Sequence, residues 1–285
     1  MKNALSIDVE DWYHPELVGS HVHGEKQSQV VESTTRILDL LAEHGTKATF
    51  FVLGDLAAGH PDLVRAIHAQ GHEVASHGMS HVPLWNQNYA SFDRELKAFD
   101  AVMRDILGAD FKAQGYRAPT FSLDERTVYA LRCLVDNGYR YDSSVFPAKN
   151  FLYGVDGAPC RIYRPSMDAV HIEDAKSPLI EFPMTVYEAG RMRVPISGGV
   201  YLRLLPYWVV SFLLGRVARD RPFVVYMHPW ETNRGTPRIR SIGLSNYFFT
   251  YYGVNGALGK LRKLLKRFAF ARIIDIINSD AGSAV

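Results

Sequence analysis

An α/β fold, with a parallel sheet or barrel inside and helices outside, is the architecture this sequence predicts. Two observations carry the prediction. Short apolar runs alternate with stretches of helical periodicity from Ala4 to Ser144, and the alternation returns from Pro206 to Glu231. The apolar runs also end in polar side chains, Asp8 and Glu10, His77, Arg117, Asp142 and His228, and strand ends are where α/β folds place chemistry.

The elements follow in order. Ala4–Val9 is a buried strand ending in the acidic run Asp8-Val9-Glu10-Asp11. Glu32–His44 has helical spacing through Ile37, Leu38, Leu40 and Leu41, and Gly45 stops it. Ala48–Leu53 is a second strand, Asp62–Gln70 a helix behind Pro61, and Glu73–Ser76 a third strand. Phe92–Leu107 is a helix with Phe92, Leu96, Phe99, Val102, Met103 and Ile106 on its apolar side. A short strand ends at Gly115-Tyr116-Arg117, a helix spans Asp124–Asn137 up to Gly138, and Tyr139–Ser144 ends another strand.

From Val145 to Gly199 the period dissolves into prolines, glycines and short β-like runs such as Leu179–Val186, which reads as an irregular insertion with hairpin character lining a substrate groove. A helix over Pro206–Arg219 and the strand Phe223–Met227 restore the pattern. Gly256–Ile277 reads as one basic amphipathic helix, whose apolar face either packs on the domain or meets anionic lipid. A single catalytic domain over 1–285 is expected, with its core at 4–231, the insertion at 145–199 and a basic helical extension at 245–280.

Composition excludes several classes. With 285 residues, 47% apolar, 22% charged and a net charge of +2, the chain is an ordinary globular protein, and no nucleic-acid partner is expected. Asp8 arrives too early for a secretory signal, so a cytoplasmic location is the expectation, with attachment to a membrane surface as the use of the basic helix. The apolar stretch Leu202–Leu214 is interrupted by Arg203 and Pro206 and is too short to span a bilayer. Cys133 and Cys160 lack the spacing of a metal clip or redox pair and read as structural.

His77 and His81 lie four apart, a spacing that on a helical turn directs both imidazoles to one ion. A hydrolytic metal site uses three protein ligands and keeps a position open. The third ligand is expected from the acids after the first strand, with Glu10 on the metal and Asp8 free as the base; Asp11 replaces Glu10 if the chain turns sharply after Val9. Arg117, fixed by Pro119, is expected to hold Asp8 through a forked pair of hydrogen bonds. His228 is placed to protonate a leaving nitrogen, and Asp142 to orient His228 or raise its pKa.

These motifs resemble the nodulation-type polysaccharide deacetylases, carbohydrate esterase family four. Ser6–Asp11, Ser76–His81, Tyr116–Pro119, Tyr141–Ser144 and Met227–Glu231 stand in the family's order, and the resemblance covers roughly residues 4 to 231. It implies a distorted, incomplete (β/α) barrel with the metal site at the C-terminal mouth of the strands, and a divalent ion, zinc being the expected one. The spaced acids of Asp8-Val9-Glu10-Asp11 replace the common adjacent aspartates and look like the exopolysaccharide-locus branch. The implied activity is hydrolysis of N-acetyl groups on a bacterial polysaccharide or its lipid-linked precursor, the partner being an N-acetylated glycan. A backbone N–H after Pro119 would face the oxyanion, and Trp230 would contact acetyl or sugar. A cyclic amide or imide amidohydrolase is the second expectation, and a non-catalytic glycan-binding relative the third.

Overall fold

The structure, a computed structural model, describes residues 2–150, 152–190 and 192–281. Met1 and 282–285, the ends of the expected 1–285 domain, lie outside the described residues.

Among the described residues, eight strands form one parallel sheet: β1 Asn3–Val9, β2 Thr49–Val52, β3 Glu73–Ser76, β4 Gly115–Tyr116, β5 Tyr141–Asp142, β8 Ile180–Glu181, β11 Val224–Met227 and β12 Phe270–Ala271. Between β5 and β11 lie two antiparallel hairpins, β6 Pro165–Ser166 with β7 Ala169–Glu173, and β9 Val186–Ala189 with β10 Met192–Pro195. The sheet order is β11-β1-β2-β3-β4-β5-β8, with β12 also pairing β1, so this is a curled, incomplete barrel. Register decides what meets at its mouth. Ile7 lies opposite Met227, Val9 opposite Val52, Val52 opposite Ser76, and Ser76 opposite Tyr116. Asp8, Glu10, His77, Arg117 and His228 therefore emerge together at the C-terminal strand ends.

The central strands β1, β2, β3 and β11 are buried on both faces, as parallel strands covered by helices must be. The helix Val30–Glu43 presses Ile37, Leu38, Leu40 and Leu41 inward, and Gly45 at φ +58 takes the left-handed turn that ends it. The helix Tyr89–Leu107 buries Phe92, Leu96, Phe99, Met103 and Ile106, and Asn88 caps it by accepting the Ser91 N–H at 3.0 Å.

Four expectations are corrected. The helix expected over Asp124–Asn137 begins only at Tyr129, because Asp124 and Thr127 are tied in a polar turn, Thr127 Oγ1 accepting the Asp124 N–H at 2.9 Å. The β-like run at 179–186 contributes β8 to the main sheet besides reaching the hairpins. His77–His81 is not a helical turn: Gly78 at φ +82 and His81 at φ 59 bend a loop, and Glu95 accepts from the backbone N–H groups of Met79 and Ser80. The C-terminal helix is two helices, Ala257–Arg267 and Ile273–Ala281, because the apolar Phe270-Ala271 pairs with Asn3-Ala4 as a strand. Leu261, Leu264 and Leu265 of the first helix are buried, so its apolar face is spent on the domain.

Candidate active site

The acidic run divides after β1. Glu10 turns into the pocket, its Oε1 2.8 Å from His77 Nε2 and 2.9 Å from His81 Nε2. Asp11 turns the other way, and its carboxylate accepts the N–H groups of Trp12 and Gln29. The bend is short, with the Glu10 N–H donating back to the Asp8 carbonyl at 2.9 Å.

One hydrogen bond constrains the chemistry of the cluster. His77 Nδ1 lies 2.8 Å from the Arg117 carbonyl oxygen, and a carbonyl only accepts, so Nδ1 carries the proton. With Nδ1 committed in this way, the tautomer that is neutral turns a bare Nε2 toward the Glu10 carboxylate, the disposition of a metal-ligating imidazole. Donor atoms of Glu10, His77 and His81 all lie within 4.8 Å of one another, and the three residues are buried. Two imidazoles and a carboxylate, one imidazole oriented by a backbone carbonyl, are a donor set that fits a divalent ion with an open position toward the pocket. Burial works against the Glu10 carboxylate, but His81, His228 and His77 outweigh it and hold its carboxyl well below the usual range.

Beside the triad, Arg117 is fully buried and donates from Nη1 to Asp8 Oδ1 at 2.6 Å. The expected fork onto Asp8 is absent. Nη1 also donates to Ser6 Oγ at 2.7 Å, while Nε and Nη2 donate to the carbonyl and hydroxyl oxygens of Ser143, each at 2.8 Å. The guanidinium stacks on Phe51, 4.1 Å from its centroid, so Arg117 is fixed from four sides and Asp8 keeps Oδ2 for the pocket.

His228 Nε2 lies 3.9 Å from both Asp8 Oδ2 and Glu10 Oε1. Its Nδ1 belongs to Glu231, whose Oε2 accepts from that nitrogen at 3.2 Å and from the His228 backbone N–H at 2.9 Å. Asp142 does not orient His228. Its Oδ1 accepts from Ser144 Oγ at 2.5 Å, and Ser144 Oγ accepts the Ala118 N–H at 2.7 Å, so Asp142 braces the Arg117-Ala118-Pro119 backbone. The neighbouring Glu181, whose carboxyl is pushed up by burial and by Asp142, makes a second acid there. Glu231 in turn accepts from Arg203 Nε at 2.6 Å. Burial would raise the Glu231 carboxyl, but Arg203 and His228 overcome it and lower it to about 2. Burial opposes charge on His228 as well, yet Glu10, Glu231 and Asp8 prevail and raise it to about 9.

Glu231 and Arg203 were not expected. Glu231 had a signal in His228-Pro229-Trp230-Glu231, since a proline-led turn returns its fourth residue to its first. For Arg203 there was none, because its partner is distant in sequence.

These residues line a pocket of about 220 Å³, closed by Thr120, Phe121, Tyr153, Tyr226 and Trp230. Trp230 stacks on His228 at 5.6 Å with the ring planes 21° apart. Asn150, Leu152 and Tyr153 bring the 145–199 stretch to the pocket wall. Thr120 and Phe121 hold left-handed φ values of 57° and 49°, a conformation unusual for a β-branched residue such as Thr120 and kept where it shapes the wall.

Residues 24–141 match the model of the polysaccharide deacetylase family. Residues 143–278 match a domain of unknown function (DUF3473), and it is this part that supplies Arg203, His228 and Glu231. A chitooligosaccharide deacetylase of Rhizobium leguminosarum bv. trifolii is 52% identical over 64 residues, 22% of this chain and 30% of that protein, so the chain matches less than a third of that relative's length. Among solved structures, a Mycobacterium smegmatis protein described as a polysaccharide deacetylase aligns with a TM-score of 0.63 at 19% identity, over 99% of this chain and 90% of that one. Puue allantoinase aligns with a TM-score of 0.60 at 14% identity, over 96% of this chain and 87% of that one. Both structural likenesses show the shared fold.

Proposed function

We propose that the chain is a metal-dependent hydrolase that removes N-acetyl groups from a bacterial exopolysaccharide or its lipid-linked precursor, on the cytoplasmic side, with zinc as the ion. The observation that carries this reading is the meeting of three donors, Glu10, His77 and His81, with a buried Arg117–Asp8 pair and with His228, 3.9 Å from both acids. The match of residues 24–141 to the polysaccharide deacetylase model and the short, strong identity to a chitooligosaccharide deacetylase support the N-acetyl substrate.

Glu10, His77 and His81 hold the ion, which when bound supplies Lewis-acid polarisation of the acetyl carbonyl. Asp8, kept in place by Arg117, accepts a proton from the attacking water through its free oxygen Oδ2. His228, whose charged form Glu231 favours through Nδ1, delivers a proton to the departing amine from Nε2. Glu231 fixes the ring through Nδ1, and Arg203 keeps Glu231 ionised. The Thr120 N–H is the backbone donor for the developing oxyanion, and Trp230 and Tyr153 offer faces for acetyl and sugar.

Acetate release from N-acetylated glucosamine oligomers tests this, with protein stripped of metal, reloaded with zinc, and carrying Asp8→Asn. Release should require zinc and be lost in the variant. Release that survives both treatments sinks the mechanism. Zinc-dependent ring opening of a cyclic amide without acetate release selects the amidohydrolase reading instead.

A further inference from the structure

We infer that an aromatic and basic surface bordering the pocket mouth docks the protein on an anionic lipid surface. Two helices carry it. The helix Tyr207–Val217 buries Val210, Ser211, Leu214 and Val217, and its opposite face presents Trp208 and Phe212, 72% and 59% exposed, with Arg216 one turn further on. In the helix Leu244–Tyr251, Leu244 is 92% exposed, and Phe248 and Tyr252 follow along the same exposed side with ring centroids 4.9 Å apart.

The segments that carry the two clusters both reach the pocket rim. Leu204, which precedes the first helix, and Phe249, in the second, both line the rim and both remain partly exposed. Buried Arg203 ties the segments together by donating to the carbonyl oxygens of Tyr252 at 2.5 Å and Phe249 at 3.0 Å. Large apolar and aromatic side chains left exposed beside a functional pocket mark an interaction surface.

Charge selects the partner. Residues 199–274 hold 13 Lys and Arg against two acids, Asp220 and Glu231, while the whole chain holds 32 against 30. The balance of the chain is therefore acidic, and the basic excess lies in the part of the chain that carries this surface: Arg216 stands on the first helix, and Arg267 of the helix Ala257–Arg267 reaches Gly215 beside it. Glu231 is buried against Arg203, so it does not offset that excess outside. Lys263, on the helix Ala257–Arg267, lies over Tyr207, 5.4 Å from its ring, which brings the basic helix beside the aromatic one.

A second copy meeting this face through a twofold axis would set cations against cations. Anionic headgroups neutralise them while Trp, Tyr and Phe settle at the headgroup level. Among the described residues no helix is long and apolar enough to cross a membrane, so the contact is with the surface. The docking surface stands apart from the deacetylase reading, because lipid binding can be read without any turnover.

Co-sedimentation of the full chain with vesicles tests the inference, comparing phosphatidylcholine alone with a phosphatidylglycerol/phosphatidylcholine mixture. Binding to the mixture should exceed binding to phosphatidylcholine by tenfold or more and weaken as salt rises. Trp208→Ala/Phe212→Ala and, separately, Arg216→Glu/Lys263→Glu should each reduce it tenfold or more, with thermal unfolding and acetate release from soluble oligomers unchanged. Equal binding to both vesicles, or full binding by both variants, overturns the proposal. So does a self-association in light scattering that disappears in the same variants while vesicle binding persists.

Discussion

Glu231 Oε2 accepts from both the backbone N–H and the Nδ1 of His228, at 2.9 and 3.2 Å, so the imidazole is gripped by the residue that closes its own turn. Glu231→Gln keeps the shape and removes the charge that helps hold His228 at about 9. The alkaline limb of the kcat/KM profile should therefore move to lower pH. His228→Ala should cost about 10²- to 10⁴-fold, the usual worth of a general acid. Measuring the profile in both variants checks this; an alkaline limb in Glu231→Gln that matches wild type refutes the pairing.

The Arg117–Asp8 pair separates catalysis from stability. Asp8→Asn can still accept from Arg117 and should fold normally while losing about 10²- to 10⁴-fold in kcat. Arg117→Ala leaves a buried carboxylate without its cation and should cost roughly 3–5 kcal/mol in urea unfolding. An Arg117→Ala protein as stable as wild type would show that the pair is not what holds this wall.

Zinc should bind the folded chain by calorimetry, and His77→Ala/His81→Ala should abolish it. With free zinc at about 100 times Kd, folding gains about 2.7 kcal/mol in the wild type, and the double variant gains none. Equal stabilisation of both would move the site elsewhere.

Far from the pocket, His72 gives a pH prediction with a defined sign. Its Nδ1 accepts the Ala48 N–H at 3.1 Å, and burial, helped by Lys47 and Arg272, lowers it from 6.5 to about 4. Below pH 6.5 the unfolded chain takes a proton that the folded one refuses until about 4. Stability therefore falls as pH drops through that window, by roughly 3 kcal/mol in total, and is neither gained nor lost from this group above 6.5. Urea midpoints for His72→Asn, whose side-chain oxygen can replace Nδ1, should show a flatter acid limb. An unchanged slope would assign it to other groups.

The sequence by itself determined the alternation of strands and helices, and with it the parallel sheet. Apolar period and chain breakers are local properties, and a strand such as Glu73–Ser76 is specified within its own residues and the turn at Gly71. It also determined which side chains leave the strand ends, because each follows its apolar run directly. Tertiary structure decided their partners. The bend after Val9 sends Glu10 to the histidines and Asp11 to Gln29, and a one-residue difference in that turn is invisible to periodicity. Asp142 went to Ser144 while Glu231 took His228, because hydrogen bonds are chosen by the distances left after the sheet curls. The C-terminal helix broke at Phe270 for the same reason: pairing with Asn3 and Ala4 at the sheet exists only once the chain ends are brought together, and no helical pattern within 256–277 records that neighbour.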